Sequence, residues 1–392
     1  MSDRAIPALE ATIRALQPAA IWLDALCVPS EGPARAACLR GMGKIYGSAS
    51  QVAAVLSNSC SAVLEQIHAK GRVEPASLLV LENDDWVTRA WTYQEMANSR
   101  NTFFVAEGGS AIPVASEQFF NAFGHALANY KKAHGLDTLK MRAVHPRLDS
   151  LEDALADWII GAPLERSAYQ VMSAMDARFS EQAEDYFNAM IGAITTTPLA
   201  NLEEPLLDPA EYFMRVCEAK GDFSFIYCVA SRSDVPGRSW RPLAGRMAAI
   251  FPWHSWGSQP GRLHATYLAL NNMCRVIPGS LGVPAREFIE EWLQSNNAAR
   301  STGNIADLAF QNLKQAGFTG SGEYLELESG YFFPQSAPAD GDQLVFIGTG
   351  LRWVHGAPGL LVSRNARDIH PYRGVGVFVG PVPQAGDAIN IG

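Results

Sequence analysis

Helical and strand-like patterns of apolar residues alternate along the N-terminal part of the chain. In some segments apolar residues recur at the spacing of one helix face, and in others they form short compact runs typical of buried strands. The predicted helices cover residues 8–16, 34–46, 63–67 and 76–81, and the predicted strands cover residues 20–28, 52–56 and 102–105. Strands and helices that alternate in this way favour an α/β layer with parallel strands.

The stretch 86–96, WVTRAWTYQEM, is predicted to form one continuous helix because it contains no glycine or proline. At helical spacing, Val87, Trp91 and Glu95 stack on one face, so a carboxylate continues an otherwise apolar stripe. A carboxylate in a partly dry pocket has a tunable proton affinity, which makes Glu95 a candidate for chemistry. The alternative is a core helix whose glutamate bonds to a nearby arginine or backbone amide, and spacing alone favours that alternative.

Asp24 interrupts the predicted strand at 20–28, AIWLDALCV. A carboxylate within an apolar run must be hydrogen-bonded or lie at the end of the strand. Ligands of open α/β sheets bind outside the carboxyl ends of the strands, so Asp24 is a candidate for the edge of a site. Helix capping or an arginine partner explains Asp24 at least as well. Cys27, in the same run, is expected to be a small buried hydrophobe.

Beyond residue 110 the pattern is first mainly helical and then rich in short strands. Arg178 with Asp185 or Glu184 forms either an ion-pair clasp or part of a solvated charged face. Residues 195–209 resemble a linker. The predicted elements are helices at 119–130, 150–160, 168–194 with a break, 284–294 and 305–316, and strands within 221–232 and at 343–347, 359–363 and 374–379. The last three strands, separated by Gly, Pro and Asp, indicate a small antiparallel sheet or barrel-like module that acts as a cap or an interaction surface.

The composition narrows the class of protein. Of the 392 residues 48% are hydrophobic and 18% are charged, so the chain can bury a sizeable core and is not disordered. The formal net charge of −9 and the lack of any Lys/Arg-rich run argue against a nucleic-acid partner or an anionic-membrane patch. The six cysteines form no CxxC pair and have no zinc spacing, so we expect no metal site, reduced thiols and a cytoplasmic location. We expect neither a signal peptide nor a membrane span.

Three segments resemble the heterokaryon-incompatibility (HET) domain of filamentous fungi. AIWLDALCV, at 20–28, resembles its "W-D-x-x-C-I" strand, and MGKIYGSASQVAAVLS, at 42–57, resembles its "M-x-x-I-Y-x-x-A" helix with the strand that follows. WVTRAWTYQE, at 86–95, resembles its "R-x-W-T-x-Q-E" helix. The three segments occur in the family's order and at similar spacing.

The resemblance implies a fold and an activity. The HET domain is similar to the TIR fold, a flavodoxin-like parallel sheet flanked by helices. Some TIR domains cleave NAD with a glutamate in a W-C-x-x-E-like helix, and Trp91 and Glu95 have that separation. The resemblance therefore implies Glu95 as the catalytic residue and NAD as a possible substrate, with no cofactor required. Trp22, Asp24, Arg89 and Trp91 are the candidate binding residues, and no metal ligands are expected.

The sequence also departs from the family pattern. HET domains usually begin with a strand ahead of the first helix, and this sequence begins at the helix, so we expect a shortened domain. Cys27 is followed by Val28, Pro29 and Ser30, where the family has asparagine and glutamine. Both departures count against enzymatic activity.

We therefore expect a HET-type protein of fungal non-self recognition and programmed cell death, which acts through TIR-like self-association, with or without NAD cleavage. The alternative is a catalytically silent interaction or scaffold protein, or a degenerate truncated copy. The protein partner is unknown. The expected organisation is a HET domain at 1–110, a helical region at 111–200, a mixed α+β region at 201–335 and a β-rich tail module at 336–392.

Overall fold

A computed structural model of the protein describes residues 5–107, 112–136, 138–160, 166–195, 208–251, 254–295, 324–335, 343–353, 355–365, 368–384 and 386–392. The chain folds into two compact units. The first unit comprises Met1–Glu165 with Ala177–Leu207, and the second comprises Arg166–Asp176 with Asp208–Gly392.

The helices of the described residues are α1 Ala5–Leu16, α2 Asp24–Cys27, α3 Gly32–Ser48, α4 Ser61–Lys70, α5 Asp85–Thr88, α6 Trp91–Asn98, α7 Ser116–His134, α8 Thr138–Val144, α9 Pro146–Ile160, α10 Ala168–Met175, α11 Ala183–Ile194, α12 Pro209–Lys220 and α13 Ala285–Ser295. Three 3₁₀ helices cover Asn58–Cys60, Pro75–Asn83 and Ser224–Ile226. The strands are β1 Val52–Leu56, β2 Thr102–Ala106, β3 Val114–Ala115, β4 Cys228–Val229, β5 Ala248–Ala249, β6 Trp256–Gly257, β7 Gly261–Leu263, β8 Leu268–Val276, β9 Leu325–Leu327, β10 Gly330–Pro334, β11 Gln343–Gly348, β12 Leu351–Arg352, β13 Gly356–Ser363, β14 Ile369–His370, β15 Tyr372–Val379 and β16 Asp387–Ile391.

The first unit is a mixed α/β structure whose described strands form a three-stranded sheet in the order β1-β2-β3. β1 and β2 are parallel, with Val52 opposite Thr102, whereas β3 is antiparallel to β2. The predicted helices at 8–16, 34–46, 63–67 and 119–130 are confirmed, and so are both strands at 52–56 and 102–105. The predicted parallel pairing holds for β1 and β2, but the additional strand β3 makes the sheet mixed rather than parallel, and the segment predicted as a helix at 76–81 is a 3₁₀ helix.

The predicted strand at 20–28 is wrong. Its second half is the short helix α2, in which the Asp24 carboxylate accepts a hydrogen bond of 2.7 Å from the amide of Ala25. A hydrogen bond between an aspartate side chain and the adjacent backbone amide competes with the hydrogen bonds of a β-sheet, which explains the turn at this position. The segment is also not buried, because Leu26 is 69% exposed and Cys27 is exposed, so the expectation of a buried Cys27 was wrong too.

The continuous helix predicted over 86–96 is also wrong. It is broken between α5 and α6 at Arg89, whose backbone is extended. A distant backbone segment causes the break: the amide of Phe179 donates to the carbonyl of Thr88 at 2.7 Å, and the amide of Ala90 donates to the carbonyl of Phe179 at 2.8 Å. Val87 therefore does not share a helix with Glu95, although Trp91 and Glu95 remain one turn apart on α6.

A second contact of distant residues places α6 against α3 and α11. Gly43 of α3 and Gly192 of α11 approach so closely that a Cβ on Gly43 would meet the carbonyl oxygen of Gly192 at 2.4 Å. A Cβ on Gly192 would meet the side-chain oxygen of Gln94 at 1.7 Å. Asn98 of α6 donates from Nδ2 to the carbonyl of Gly192 at 2.6 Å. These contacts hold the helix that carries Glu95.

The second unit contains a large, mostly antiparallel sheet. Its described strands run in the order β14-β16-β8-β11-β13-β15-β10-β9, with β7 paired to β8. The three strands predicted in the tail are confirmed as parts of β11, β13 and β15, and Phe332, Ile347 and Phe378 form part of its core. The sheet is larger than predicted because β8 and β10 extend it on both sides.

Other predictions have mixed outcomes. The break within 168–194 is confirmed, since α10 ends at Met175 and α11 begins at Ala183, and the helices at 150–160 and 284–294 correspond to α9 and α13. The strand predicted within 221–232 is largely wrong, because a 3₁₀ turn at Ser224–Ile226 leaves only the two residues of β4. Most of the linker-like stretch 195–209 and the helix predicted at 305–316 lie outside the described residues.

Candidate functional site

Glu95 lies partly exposed on α6, and its carboxylate accepts a hydrogen bond from the indole of Trp86. Trp86 donates from Nε1 to Oε2 of Glu95 at 3.0 Å. The indole is itself fixed, because the backbone amide of Trp86 donates to the N-cap residue Asp84 at 2.9 Å and its ring meets Phe104 edge-on at 5.3 Å between centroids. α5 therefore holds the donor that orients the carboxylate of α6.

The pKa of Glu95 is raised to about 7, chiefly because burial disfavours the charged carboxylate. The hydrogen bond from Trp86 opposes that rise, the negative charge of Asp24 adds to it, and the positive charges of Arg89 and Arg178 oppose it. Glu95 therefore changes its protonation state near neutral pH, as a group that exchanges a proton or stabilises a transient cation must be able to do.

Tyr46 is a member of this cluster that the sequence analysis did not single out. Its side chain is 8% exposed and meets the ring of Trp22 edge-on at 5.9 Å. Burial raises the pKa of the Tyr46 hydroxyl, and the charges of Glu95 and Asp24 and a hydrogen bond with Glu95 raise it further. The hydroxyl is thus a neutral donor beside the carboxylate. Tyr46 is the last residue of the helix predicted at 34–46, and that pattern gave no indication of a hydroxyl beside Glu95.

All five predicted site residues lie in one region of the first unit. Trp22 and Trp91 pack, partly buried, against the apolar cluster of Leu39, Met42, Tyr46 and Val52. Asp24 is exposed, and its charge acts on both Glu95 and Tyr46. Arg89 is exposed at the break between α5 and α6. The region therefore combines a tunable carboxylate, aromatic rings and two charged groups at its solvent side.

Arg178 forms neither the clasp nor the solvated face that the sequence predicted. The residue is only 7% exposed, and no ion pair among the described residues joins it to Asp185 or Glu184. It donates from Nη1 to the carbonyl of Arg89 at 3.1 Å and to the hydroxyl of Thr92 at 2.9 Å. Burial lowers the pKa of Arg178 to about 10. Its partners lie far away in the sequence, so no local pattern indicated this role.

A cavity in the first unit is lined by none of the five predicted site residues. It has a volume of about 470 Å³ and is lined by residues 71–75 and by Ala122, His125, Ala126 and Asn129 of α7.

No group of three His, Cys, Asp or Glu side chains among the described residues is arranged to hold a metal ion. Across the parts of the chain that the structure describes, no helix has the length and apolar character needed to cross a membrane.

Comparison with known proteins agrees with the resemblance in the N-terminal region. Residues 5–79 match the model of the family described as Heterokaryon incompatibility protein (HET). The match includes Trp22, Asp24 and Tyr46 and ends before Trp86 and Glu95. No curated protein and no solved structure matches the chain.

Proposed function

We propose that this chain is a heterokaryon-incompatibility-type protein whose N-terminal unit self-associates in a TIR-like manner and cleaves NAD with Glu95 as the catalytic carboxylate. The observation that carries the chemical part is the environment of Glu95, where burial raises its pKa to about 7 beside a fixed indole donor. The family match over residues 5–79 supports the biological part, a role in non-self recognition that ends in cell death.

The proposed reaction transfers the ADP-ribosyl group of NAD to water. The bond between the ribose carbon and the nicotinamide nitrogen breaks, and nicotinamide leaves with the electron pair. Water then bonds to the same carbon and releases one proton. The ionised Glu95 carboxylate stabilises the oxocarbenium-like charge or orients the attacking water. Trp86 keeps one carboxylate oxygen in place, and Trp22 and Trp91 supply apolar surface beside it.

The first experiment measures nicotinamide release from NAD by the purified full-length chain at high protein concentration. We expect Glu95→Gln to lower the rate at least about 100-fold, the lower range for loss of a positioned acid or base. The matched control is Glu65→Gln, the same chemical change at an exposed glutamate of α4. Loss of activity in both variants, or no turnover by the wild type, would refute the catalytic proposal.

The pH dependence adds a second test of the same role. If the ionised form of Glu95 acts, kcat/KM rises as the pH is raised through about 7, the pKa of that group. An activity that does not change between pH 5.5 and pH 8 would assign the reaction to another group.

A catalytically silent scaffold is the second candidate, and a specific observation favours it. The hydrogen bond from Trp86 to Glu95 joins α5 and α6, and the Tyr46 hydroxyl of α3 lies beside the same carboxylate, which is also the arrangement of a carboxylate that stabilises the fold. For a scaffold, light scattering shows concentration-dependent self-association that Glu95→Gln leaves unchanged, and cell death on expression in a filamentous fungus is equal for both forms. For the NAD-cleaving protein, Glu95→Gln abolishes the cell death.

A further inference from the structure

The first turn of α6 lies beside two arginines. α6 has eight residues, and no side chain caps its N-terminus, where Ala90 is the N-cap residue. The first amides of a helix have no partner within the helix, and the helix dipole places positive charge at this end. Arg89 immediately precedes the turn, and Arg178 contacts it from the segment between α10 and α11.

Arg178 is the second and independent observation. Its side chain is more than nine-tenths buried, and its Nη1 holds it against the carbonyl of Arg89 and the hydroxyl of Thr92. Among the residues that the structure describes, its Nε and Nη2 have no hydrogen-bond partner. The guanidinium also lies over the ring of Tyr93, 5.4 Å from the centroid. The ring and the two oxygens fix the orientation of the guanidinium and leave two of its nitrogens without an acceptor.

Within the described residues, the charge of this guanidinium is not balanced by an ion pair. None of the ion pairs of the described residues includes Arg178 or Arg89. The acidic groups that act on Arg178 are Tyr93 and, to a smaller extent, Glu95, and Glu95 is only partly ionised at neutral pH. A buried cation without a compensating anion is unfavourable, so an anion that reaches Arg178 is held strongly.

We propose that the N-terminal turn of α6, together with Arg178 and Arg89, binds a phosphate group. A guanidinium presents N–H groups in a planar fork that matches two oxygens of one phosphate, and a helix N-terminus adds backbone donors and a favourable dipole. Arg89 contributes positive charge from the solvent side. That the phosphate belongs to the diphosphate of a dinucleotide rests on the proposed function, whereas the anion site itself does not.

The test titrates inorganic pyrophosphate into the full-length chain by calorimetry at constant ionic strength. We expect saturable binding to the wild type and at least tenfold weaker binding to Arg178→Gln. Arg178→Lys keeps the charge and loses the fork, so it binds with an intermediate affinity. Arg89→Gln weakens binding by a smaller factor than Arg178→Gln. The matched control is Arg100→Gln, which removes a positive charge from an exposed position just beyond α6 and leaves the affinity unchanged.

Circular dichroism of each variant separates loss of the site from loss of the fold. If Arg178→Gln fails to fold, the affinities of Arg178→Lys and Arg89→Gln decide the test. The proposal is overturned if pyrophosphate binds without saturation or if Arg100→Gln weakens binding as much as the variants at α6. It is also overturned if Arg178→Lys and Arg89→Gln, both folded, bind as the wild type does.

Glu95→Gln separates this proposal from the function proposed above. If both hold, that variant loses nicotinamide release and still binds pyrophosphate. If the wild type releases nicotinamide and Glu95→Gln abolishes that release, but pyrophosphate never binds, only the phosphate site is refuted. Binding that depends on Arg178, in a protein that never releases nicotinamide, refutes the NAD-cleaving function alone.

Discussion

Each unit of the molecule contains a hydrogen-bonded carboxylate, Asp222 buried and Glu95 partly exposed, and the two are held in different ways. In the second unit, Asp222 accepts hydrogen bonds from the amides of Ala168 at 2.6 Å, Ser224 at 3.0 Å and Gln259 at 3.3 Å, and from the hydroxyl of Ser224 at 3.1 Å. In the first unit, Glu95 accepts from the indole of Trp86 and lies beside the hydroxyl of Tyr46.

The difference shows how a fold distinguishes a structural carboxylate from one suited to chemistry. Three backbone amides and a hydroxyl replace the water that Asp222 loses, so its charge connects segments of the second unit. The donors around Glu95 replace less of its hydration, and desolvation remains the largest effect on its pKa. A carboxylate with few donors is therefore the better candidate for changing its charge during a reaction.

We expect the greatest loss of stability from Asp222→Ala, which tests whether the carboxylate of the second unit is structural. The change leaves the buried amides of Ala168, Ser224 and Gln259 without their acceptor. Each unsatisfied buried group costs about 1–3 kcal/mol, so we expect a total loss of about 3–5 kcal/mol. Urea unfolding followed by circular dichroism measures this loss. A loss below about 1 kcal/mol would contradict the assigned role of Asp222.

The next effect has the opposite sign and concerns Glu95→Gln. The pKa of Glu95 is raised in the folded protein from 4.5 to about 7, so the folded state holds more protons than the unfolded state between those values. The contribution of this group to the free energy of unfolding therefore falls as the pH rises from 4.5 through 7. Glutamine removes that dependence and still accepts the hydrogen bond from Trp86.

We expect Glu95→Gln to be more stable relative to the wild type at pH 8 than at pH 5, by about 1–3 kcal/mol for a partly exposed group. Denaturant unfolding of both proteins at the two pH values measures the difference, and the other titrating groups cancel because both proteins contain them. A variant that is less stable than the wild type at pH 8 would place Glu95 with Asp222 as a structural carboxylate.

The sequence predicts those parts of the fold that depend on neighbouring residues. The spacing of apolar residues was sufficient for α3, α4, α7, β1 and β2, because each buries one face of its own local pattern. The same reasoning failed at Arg89, because the backbone of Phe179, far along the chain, breaks the helix there. It failed at Asp24 because a bond from one side chain to the adjacent amide favours a turn over a strand.

The same distinction between local patterns and distant contacts explains which residues of the candidate site the sequence indicated. Trp22, Asp24, Arg89, Trp91 and Glu95 were chosen as candidates because they belong to short motifs that the resemblance identifies. Tyr46 was missed as a site residue because a tyrosine on an apolar helix face has the same spacing whether or not its hydroxyl meets a carboxylate. For Arg178 the sequence offered either an ion-pair clasp or a solvated charged face, because its contacts with Arg89 and Thr92 follow no regular spacing along the chain.

A smaller effect is expected for Trp86→Phe, which tests the donor that distinguishes Glu95 from an isolated acid. The hydrogen bond from Nε1 favours the charged carboxylate. Because the change removes this donor, the pKa of Glu95 should rise further above its ordinary value. We expect a loss of stability of about 1–2 kcal/mol from the hydrogen bond and the smaller ring. Carbon-13 NMR of the glutamate carboxyl groups measures the pKa. An unchanged pKa would show that the indole does not control the charge of Glu95.

The smallest effect on stability is expected for Asp24→Asn, and it isolates charge from structure. Asp24 is exposed, and asparagine can still accept the hydrogen bond from the amide of Ala25, so the melting temperature should not change. The negative charge of Asp24 raises the pKa of Glu95, so this variant should lower that pKa, and more so at low salt, because salt screens exposed charges.

The control is Asp85→Asn, which removes an exposed charge from the first turn of α5. If both variants move the pKa equally, the net charge of the unit tunes Glu95. If only Asp24→Asn moves it, the segment that contains Trp22 and Asp24, within the family match, sets the proton affinity of a carboxylate outside that match.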